Sequence, residues 1–212
     1  MATRDYSTSM QPRLLEDLIM KRVLTLLSVI LTCCSFNATA EWILNNNQSS
    51  INFVSIKKQD IAELHRFANL KGRLIEHGRG EVVIDLASVN TGIEVRDTRM
   101  KEILFETERF GKAIINVDVG RMFMMEMEQG KPYPKTIQGS IEMHGVTKSF
   151  HVATTIISYD KDNILISSIH PVIINASDFG FDEGIAKLTE VAGLPSISKA
   201  VPVSFVLTFT RK

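Results

Sequence analysis

The chain has 212 residues, 44% of them hydrophobic, and its 24 Lys and Arg are balanced by 24 Asp and Glu. That length suits one ordinary domain with an extension. A neutral chain offers no concentrated basic surface of the kind that displaces counterions from nucleic acid, so that class of function is set aside.

Taken from the N-terminus, residues 1–19 read as a non-native or mis-called extension, because Glu16 and Asp17 sit where an export leader should be positive. From Met20 the pattern changes. Lys21-Arg22 is a basic start, Val23 to Cys34 carries no charge, and Ala38-Thr39-Ala40 has the small-x-small form of a cleavage site. The apolar run falls short of the about 20 residues that span a bilayer. The prediction is a signal peptide over 20–40, cleaved after Ala40, and one domain over 41–212 with no stable membrane span. A lipidated cysteine fits less well, since Cys33 follows Thr32 and Cys34 follows Cys33. Cleavage removes both cysteines, and with them thiol catalysis and thiolate metal sites.

Beyond Trp42 the dominant hydrophobic period is two. Val201, Val203, Phe205, Leu207 and Phe209 alternate with polar residues or proline, broken by Val206; Ile115, Val117 and Val119 alternate with Asn116 and Asp118. Ile137, Ile141 and Met143 share another face. Such segments have one dry face and one wetter face. Strands are predicted near 50–57, 67–76, 80–87, 112–120, 136–144, 147–159, 163–174 and 200–211, with a short helix over 98–105. Pro202 marks a strand end or an edge. Met122-Phe123-Met124-Met125-Glu126-Met127 is either a strand continuing from Val119 or an adaptable apolar gate or dimer contact. Residues 176–198 read as loop with a helical turn. No internal repeat divides the chain, so the expectation is one antiparallel all-β domain of about eight strands, a barrel or a sandwich.

Catalytic signatures are missing: there is no Gly-x-Ser-x-Gly elbow, P-loop or dinucleotide fingerprint. His65, His77, His144, His151 and His170 show no metal-ligand spacing. His144 and His151 approach across the Gly145 turn without further ligands, and the histidines read as surface groups at hairpin ends. The most polar constellation, Asn90 to Asp97, leads into the short helix. There Asp97 caps backbone amides, or Arg96 faces a ligand head group. The phenylalanines fill a core or line a tunnel, and periodicity does not separate the two.

The residues resemble a known family, the YceI-like proteins, which are exported lipocalin-like polyisoprenoid-binding barrels of bacteria. The resemblance runs through Trp42-Ile43-Leu44, Ser50-Ile51-Asn52-Phe53 and Ala87-Ser88-Val89-Asn90-Thr91-Gly92 to Arg96-Asp97. It continues in Gly139 to Lys148, similar to a "G-x-L-x-x-x-G-V-T-K/R" hairpin, and in Ser177-Asp178-Phe179-Gly180. Departures are Leu104-Phe105-Glu106 for Phe-Phe-Asp, Phe110-Gly111 for Tyr-Pro, and Ala176 where the family usually has Arg.

The resemblance implies an extended antiparallel lipocalin-like barrel with one or two short helices, located in the periplasm. Its tunnel would hold a polyisoprenoid or similar long-chain lipid for transport or storage, often in a homodimer, with no other cofactor, no metal and no catalysis. Ile51, Phe53, Phe67, Phe105, Ile115, Val117, Ile141, Phe205 and Leu207 are the candidate lining. Arg96, Asp97 and Asp178 are mouth or structural candidates placed by motif match. Two alternatives remain. One is a stress-related protein-interaction module with a filled barrel and an exposed apolar patch. The other is an enzyme acting on a bound lipid, which needs a polar cluster inside the barrel.

Overall fold

Alternating segments joined by tight turns build an up-and-down β-barrel. The computed structural model describes residues 41–75, 77–120 and 127–212. The expected leader and most of the methionine-rich run therefore lie outside the described residues; Met127, which is described, packs partly buried against the core. The strands are β1 (Glu41–Leu44), β2 (Ser50–Lys57), β3 (Ile61–Phe67), β4 (Leu70–Ile75), β5 (Arg79–Asp85) and β6 (Val89–Asn90). Then follow helix α1 (Glu94–Arg99), β7 (Lys112–Asp118), β8 (Pro132–Met143), β9 (Val146–Asp160), β10 (Asn163–Ser168) and β11 (Val172–Asn175). Helix α2 (Asp182–Val191) and β12 (Ala200–Arg211) complete the chain.

Eight antiparallel staves result. β1 and β2 both pair with β12, so they form one broken stave; β3 with β4, β5 with β6, and β10 with β11 form others. β7, β8, β9 and β12 are single. Pairing of β1 with β12, through Leu44↔Phe209 and Trp42↔Arg211, closes the circle. Closure removes the sheet edges that an open sheet would expose. The expectation of a barrel of about eight strands is met, and the barrel rather than the sandwich is the form taken.

The breaks in the first three staves lie side by side and are tied together by side chains. Asn45 accepts from the amide of Asn47 at 3.1 Å and starts a 3-10 turn over Asn46–Gln48. Asn46 then accepts from the amide of Leu70 at 2.7 Å and donates to the carbonyl of Ala68 at 3.0 Å, reaching the second break. Asn69 in turn donates to Asp85 at 3.3 Å, and Ser88 accepts from the amide of Asn69 at 3.0 Å, which fixes the third. Short polar side chains compete well with ladder hydrogen bonds, which is why asparagine, aspartate and serine stand here.

These breaks fall near the boundary between two halves of the barrel. On one side Leu74, Val119, Ile156 and Ile164 are at most 1% exposed and fill the interior with Trp42, Leu44 and Phe209. On the other side the inward residues surround a cavity. Its cover comes from α1, which runs on through a π turn over Met100–Leu104, and from α2. Gly184 of α2 lies against the π turn, since a Cβ there would stand 2.8 Å from the carbonyl oxygen of Ile103. Only a glycine permits so close an approach.

Three local differences from the sequence reading have physical causes. Residues 61–66, left unassigned, form β3, because the turn before it is made by Lys58 and Gln59 at φ of +53° and +74° rather than by the usual Gly or Asn. The helix over 98–105 begins earlier, at Glu94. Residues 182–191, read as loop with a helical turn, are a full ten-residue helix whose buried face presents Ile185 to the barrel. Pro202 sits where β12 has β11 on one side and its pairing with β2 has not yet begun, in keeping with an edge.

Candidate functional site

Inward positions along each stave define the cavity, of about 400 Å³. β2 contributes Ile51, Phe53, Ser55 and Lys57, and its neighbour β3 contributes Glu63, His65 and Phe67. β7 adds Ala113 and Ile115, β8 adds Ile141 and Met143, and β9 adds Phe150 and Val152. Val172 and Ile174 of β11 and Val201, Val203 and Phe205 of β12 close the wall. The cover supplies Arg96, Arg99, Met100, Leu104, Phe105, Phe181, Ile185 and Leu188. Nearly all of this surface is hydrocarbon or aromatic ring.

The aromatic residues are linked in a chain. Phe53 stacks on Phe67 at 5.2 Å, Phe67 meets Phe105 at 5.9 Å, and Phe105 meets Phe181 edge-on at 5.9 Å. Such offset and edge-to-face pairs are favourable beyond their area. Phe181 also contacts the ring of His144, which itself packs on Phe110 at 4.3 Å. His144 bonds the carbonyl of Phe179 through Nδ1 at 3.1 Å and Glu106 through Nε2 at 3.2 Å. The hairpin turn thereby anchors the loops on either side of the cover.

Polar groups collect on one wall. In register, Phe53 faces His65, Ser55 faces Glu63 and Lys57 faces Ile61, so the wall passes from apolar to charged over a few residues. Glu63 receives Lys57 at 2.9 Å and Arg96 at 2.6 Å. The Lys57 hydrogen bond, with Arg96 behind it, holds the Glu63 carboxyl below the usual carboxylate range. Arg96 also donates to the carbonyl of Thr91 at 2.7 Å. Ser55 Oγ and His65 Nε2 are 2.8 Å apart.

His65 is 3% exposed, which corrects the expectation that the histidines are surface groups. Burial pushes its pKa down, and the charge of Arg96 pushes it the same way. Its inward direction follows from the alternation of β3, which the sequence reading did not identify as a strand. The Ser55–His65 pair has the spacing of a nucleophile and its base. However, His65 Nδ1 has no hydrogen-bond partner among the described residues, so the carboxylate that orients such a base is missing.

The predicted site residues divide clearly. Ile51, Phe53, Phe67, Arg96, Phe105, Ile115, Ile141 and Phe205 lie on the cavity wall. Val117 and Leu207 are the next inward positions on their strands and belong to the filled half. Asp97 lies off the wall, where it accepts from the amide of Thr91 at 2.8 Å and from its hydroxyl at 2.5 Å. It braces the loop before α1 rather than capping a helix that starts after it. Asp178 is exposed in the 3-10 turn Ala176–Phe179, which ends at Gly180 with φ of +74°. Sequence reasoning missed Ser55, Lys57, Glu63 and the α2 contributions. No group of three metal-binding side chains occurs among the described residues.

Comparison with known proteins agrees with this architecture. The YceI-like domain model matches residues 42–209. A polyisoprenoid binding domain from Saccharophagus degradans, implicated in plant cell wall breakdown, is similar at 34% identity and a TM-score of 0.79. That match covers 81% of this chain and 98% of the other. BcnA of Burkholderia cenocepacia shares 16% identity with a TM-score of 0.60, over 78% of this chain and 98% of its own. A Campylobacter jejuni YceI protein shares 16% with a TM-score of 0.50, over 70% and 84%. The last two are similar in fold alone. No curated protein matches the sequence. On the family match and the similarity to the Saccharophagus domain, the chain belongs to the YceI-like family.

Proposed function

We propose that this protein is a lipid-binding protein that holds a polyisoprenoid or similar long apolar chain in the hollow half of its barrel, as carrier or store. The observation that carries the reading is the cavity itself, about 400 Å³ with an almost wholly apolar wall. Its size lies within the roughly 300–1,000 Å³ of small-molecule sites. A hollow of that kind gains little from water, which needs polar partners. A hydrocarbon chain gains about 0.8 kcal/mol for each methylene buried, before the cost of ordering it. The similar Saccharophagus domain is a polyisoprenoid binding domain, which favours the same ligand class here. The filled-barrel alternative loses its main premise, since it expects no hollow.

Export to the periplasm is part of the proposal and rests on the basic, apolar and small-x-small segments of residues 20–40. Two measurements test these points. Protein expressed with its leader, purified and extracted with organic solvent, is expected to yield a stoichiometric polyprenyl or acyl species by mass spectrometry. A clean extract, followed by failure to take up added polyprenol, overturns lipid binding. N-terminal sequencing of the exported form is expected to begin at Glu41.

A further inference from the structure

The cavity opens beside the end of α2. Ala192, the C-cap of that helix, is exposed, while the other residues on the cavity wall are buried or half-buried. The chain turns back at this point. The amide of Leu194, also on the wall, donates to the carbonyl of Thr189 at 3.0 Å, and the carbonyl of Ser196 accepts from the amide of Lys58 at 3.1 Å. The turn between β2 and β3 therefore stands next to the end of α2. Arg96 of α1 reaches Glu63 of β3 at 2.6 Å, which brings α1 to the same rim. The mouth is bounded by these three elements.

The same elements carry an unusual outer surface. Nine large hydrophobic side chains stand exposed among the described residues. Five of them gather here: Ile61 and Leu64 on β3, Ile93 and Val95 at the start of α1, and Val191 at the end of α2. Leu64 is 69% exposed and Val95 57%. None of the five lies on the cavity wall, so holding cargo does not account for them. Scattered apolar residues on a surface need no account, but a group collected around an opening marks a contact. Charge at the rim is close to balanced. Lys57 and Lys58 stand against Asp60 and Glu63 in the β2–β3 turn, Arg96 and Arg99 against Glu94 and Asp97 in α1, and Glu190 adds one acid beside Val191. The rim thus lacks the basic cluster that anionic membranes recruit. It suits a zwitterionic surface, into which apolar side chains insert by burying area.

We infer that the protein docks mouth-first on a lipid bilayer, with Ile61, Leu64, Val95 and Val191 set into its interfacial layer, so that cargo passes between membrane and cavity without crossing water. The inference rests on the lipid-binding reading and adds to it the surface from which the lipid is taken or to which it is given. A hydrocarbon chain leaving through the mouth into water would expose its methylenes one after another. A mouth pressed against a bilayer puts acyl chains where that water would be.

Flotation with vesicles tests this. Exported protein, stripped of lipid, is mixed with vesicles of pure phosphatidylcholine and floated at about 0.1 M and about 1 M salt, which separates apolar insertion from screened attraction. The wild type is expected to float at both. Val191→Asp and, separately, Leu64→Asp are expected to weaken partitioning about tenfold or more, since each removes an inserted side chain and adds a charge. Val206→Asp is the control and is expected to stay within about twofold of the wild type. Val206 is also exposed, but it pairs with Ser50, at the end of β2 remote from the mouth. Each variant is shown to be folded by its uptake of polyprenol from detergent. No flotation of the wild type overturns the inference and leaves the rim to a protein partner. Flotation that disappears at high salt, unchanged flotation of either mouth variant, or an equal loss in Val206→Asp also overturns it. In all of these cases polyprenol uptake by the wild type leaves lipid binding standing, whereas failure of that uptake overturns both.

Discussion

The two halves of this barrel are made from the same staves and nearly the same residue types, yet one is solid and the other hollow. On β7, Ile115 borders the cavity, whereas Val117, two residues on, does not line it and packs, partly buried, against the core. Around Val117 the strands approach closely: a Cβ on Gly80 would lie 3.1 Å from it and one on Gly139 would lie 3.0 Å away. The cavity that Ile115 lines is bounded by residues of α1, the π turn and α2 as well as by strand residues. Strand pairing therefore makes the stable shell, and the helical cover makes the room inside. The alternation that puts side chains inward is the same in both halves. What differs is whether another strand's side chains arrive to meet them.

This contrast is most sharply tested by cavity-creating substitutions. Ile156→Ala, in the solid half, is expected to cost about 2–5 kcal/mol, because lost burial and an unfilled void add together. Ile141→Ala, at the cavity wall, should cost clearly less, since its neighbourhood is already incompletely packed. Urea unfolding followed by the single tryptophan, Trp42 of the solid half, measures both. Equal losses would mean that the two halves are packed alike.

Overpacking gives the next largest effect. Val117→Phe is expected to destabilise by about 1–3 kcal/mol, because no space is left between Gly80 and Gly139. Ile115→Phe is expected to cost less than about 1 kcal/mol but to reduce the lipid recovered on extraction. A matched loss of stability without loss of lipid would break the distinction between the halves.

The polar wall makes a smaller, pH-dependent contribution. His65 has its pKa lowered from the ordinary 6.5 by burial first and by Arg96 next. Above that value the site is neutral in both folded and unfolded chains and contributes no pH dependence. As pH falls below 6.5, the unfolded chain takes up a proton that the folded protein resists. Stability is lost down to the lowered folded value and then levels off. His65→Phe should abolish this slope, so unfolding midpoints of the two proteins measured between pH 8 and pH 5 should change in parallel only above 6.5. Parallel curves throughout would show that His65 is not held neutral.

Smallest of all is the expected effect of Glu63→Gln. The carboxylate is about one-third exposed, so solvent screens its two ion pairs, and the loss should stay below about 1 kcal/mol. Its sharper readout is a weaker preference for uncharged lipids, because Lys57 and Arg96 would then lack their shared counter-ion.

Much of this molecule is written in the sequence. Period-two alternation and short turns determined an antiparallel all-β domain, and the ordered motifs from Trp42 to Gly180 pointed to the YceI-like family. Most of the apolar wall was legible too, because Phe53, Phe67, Ile115, Ile141 and Phe205 sit on inward faces that alternation identifies. Tertiary structure alone decided where the hollow ends. Val117 and Leu207 follow the same pattern as Ile115 and Phe205, and only closure of the barrel separates the filled positions from the open ones. It also decided the polar wall. His65 and Glu63 lie on a strand hidden by a Lys-Gln turn, and their meeting with Arg96 joins residues about thirty positions apart. Alternation reports which face a side chain takes, a local property of the backbone. Whether that face meets packed neighbours, a cavity or a distant cation depends on strand register and on the placement of the covering helices, which no local pattern encodes.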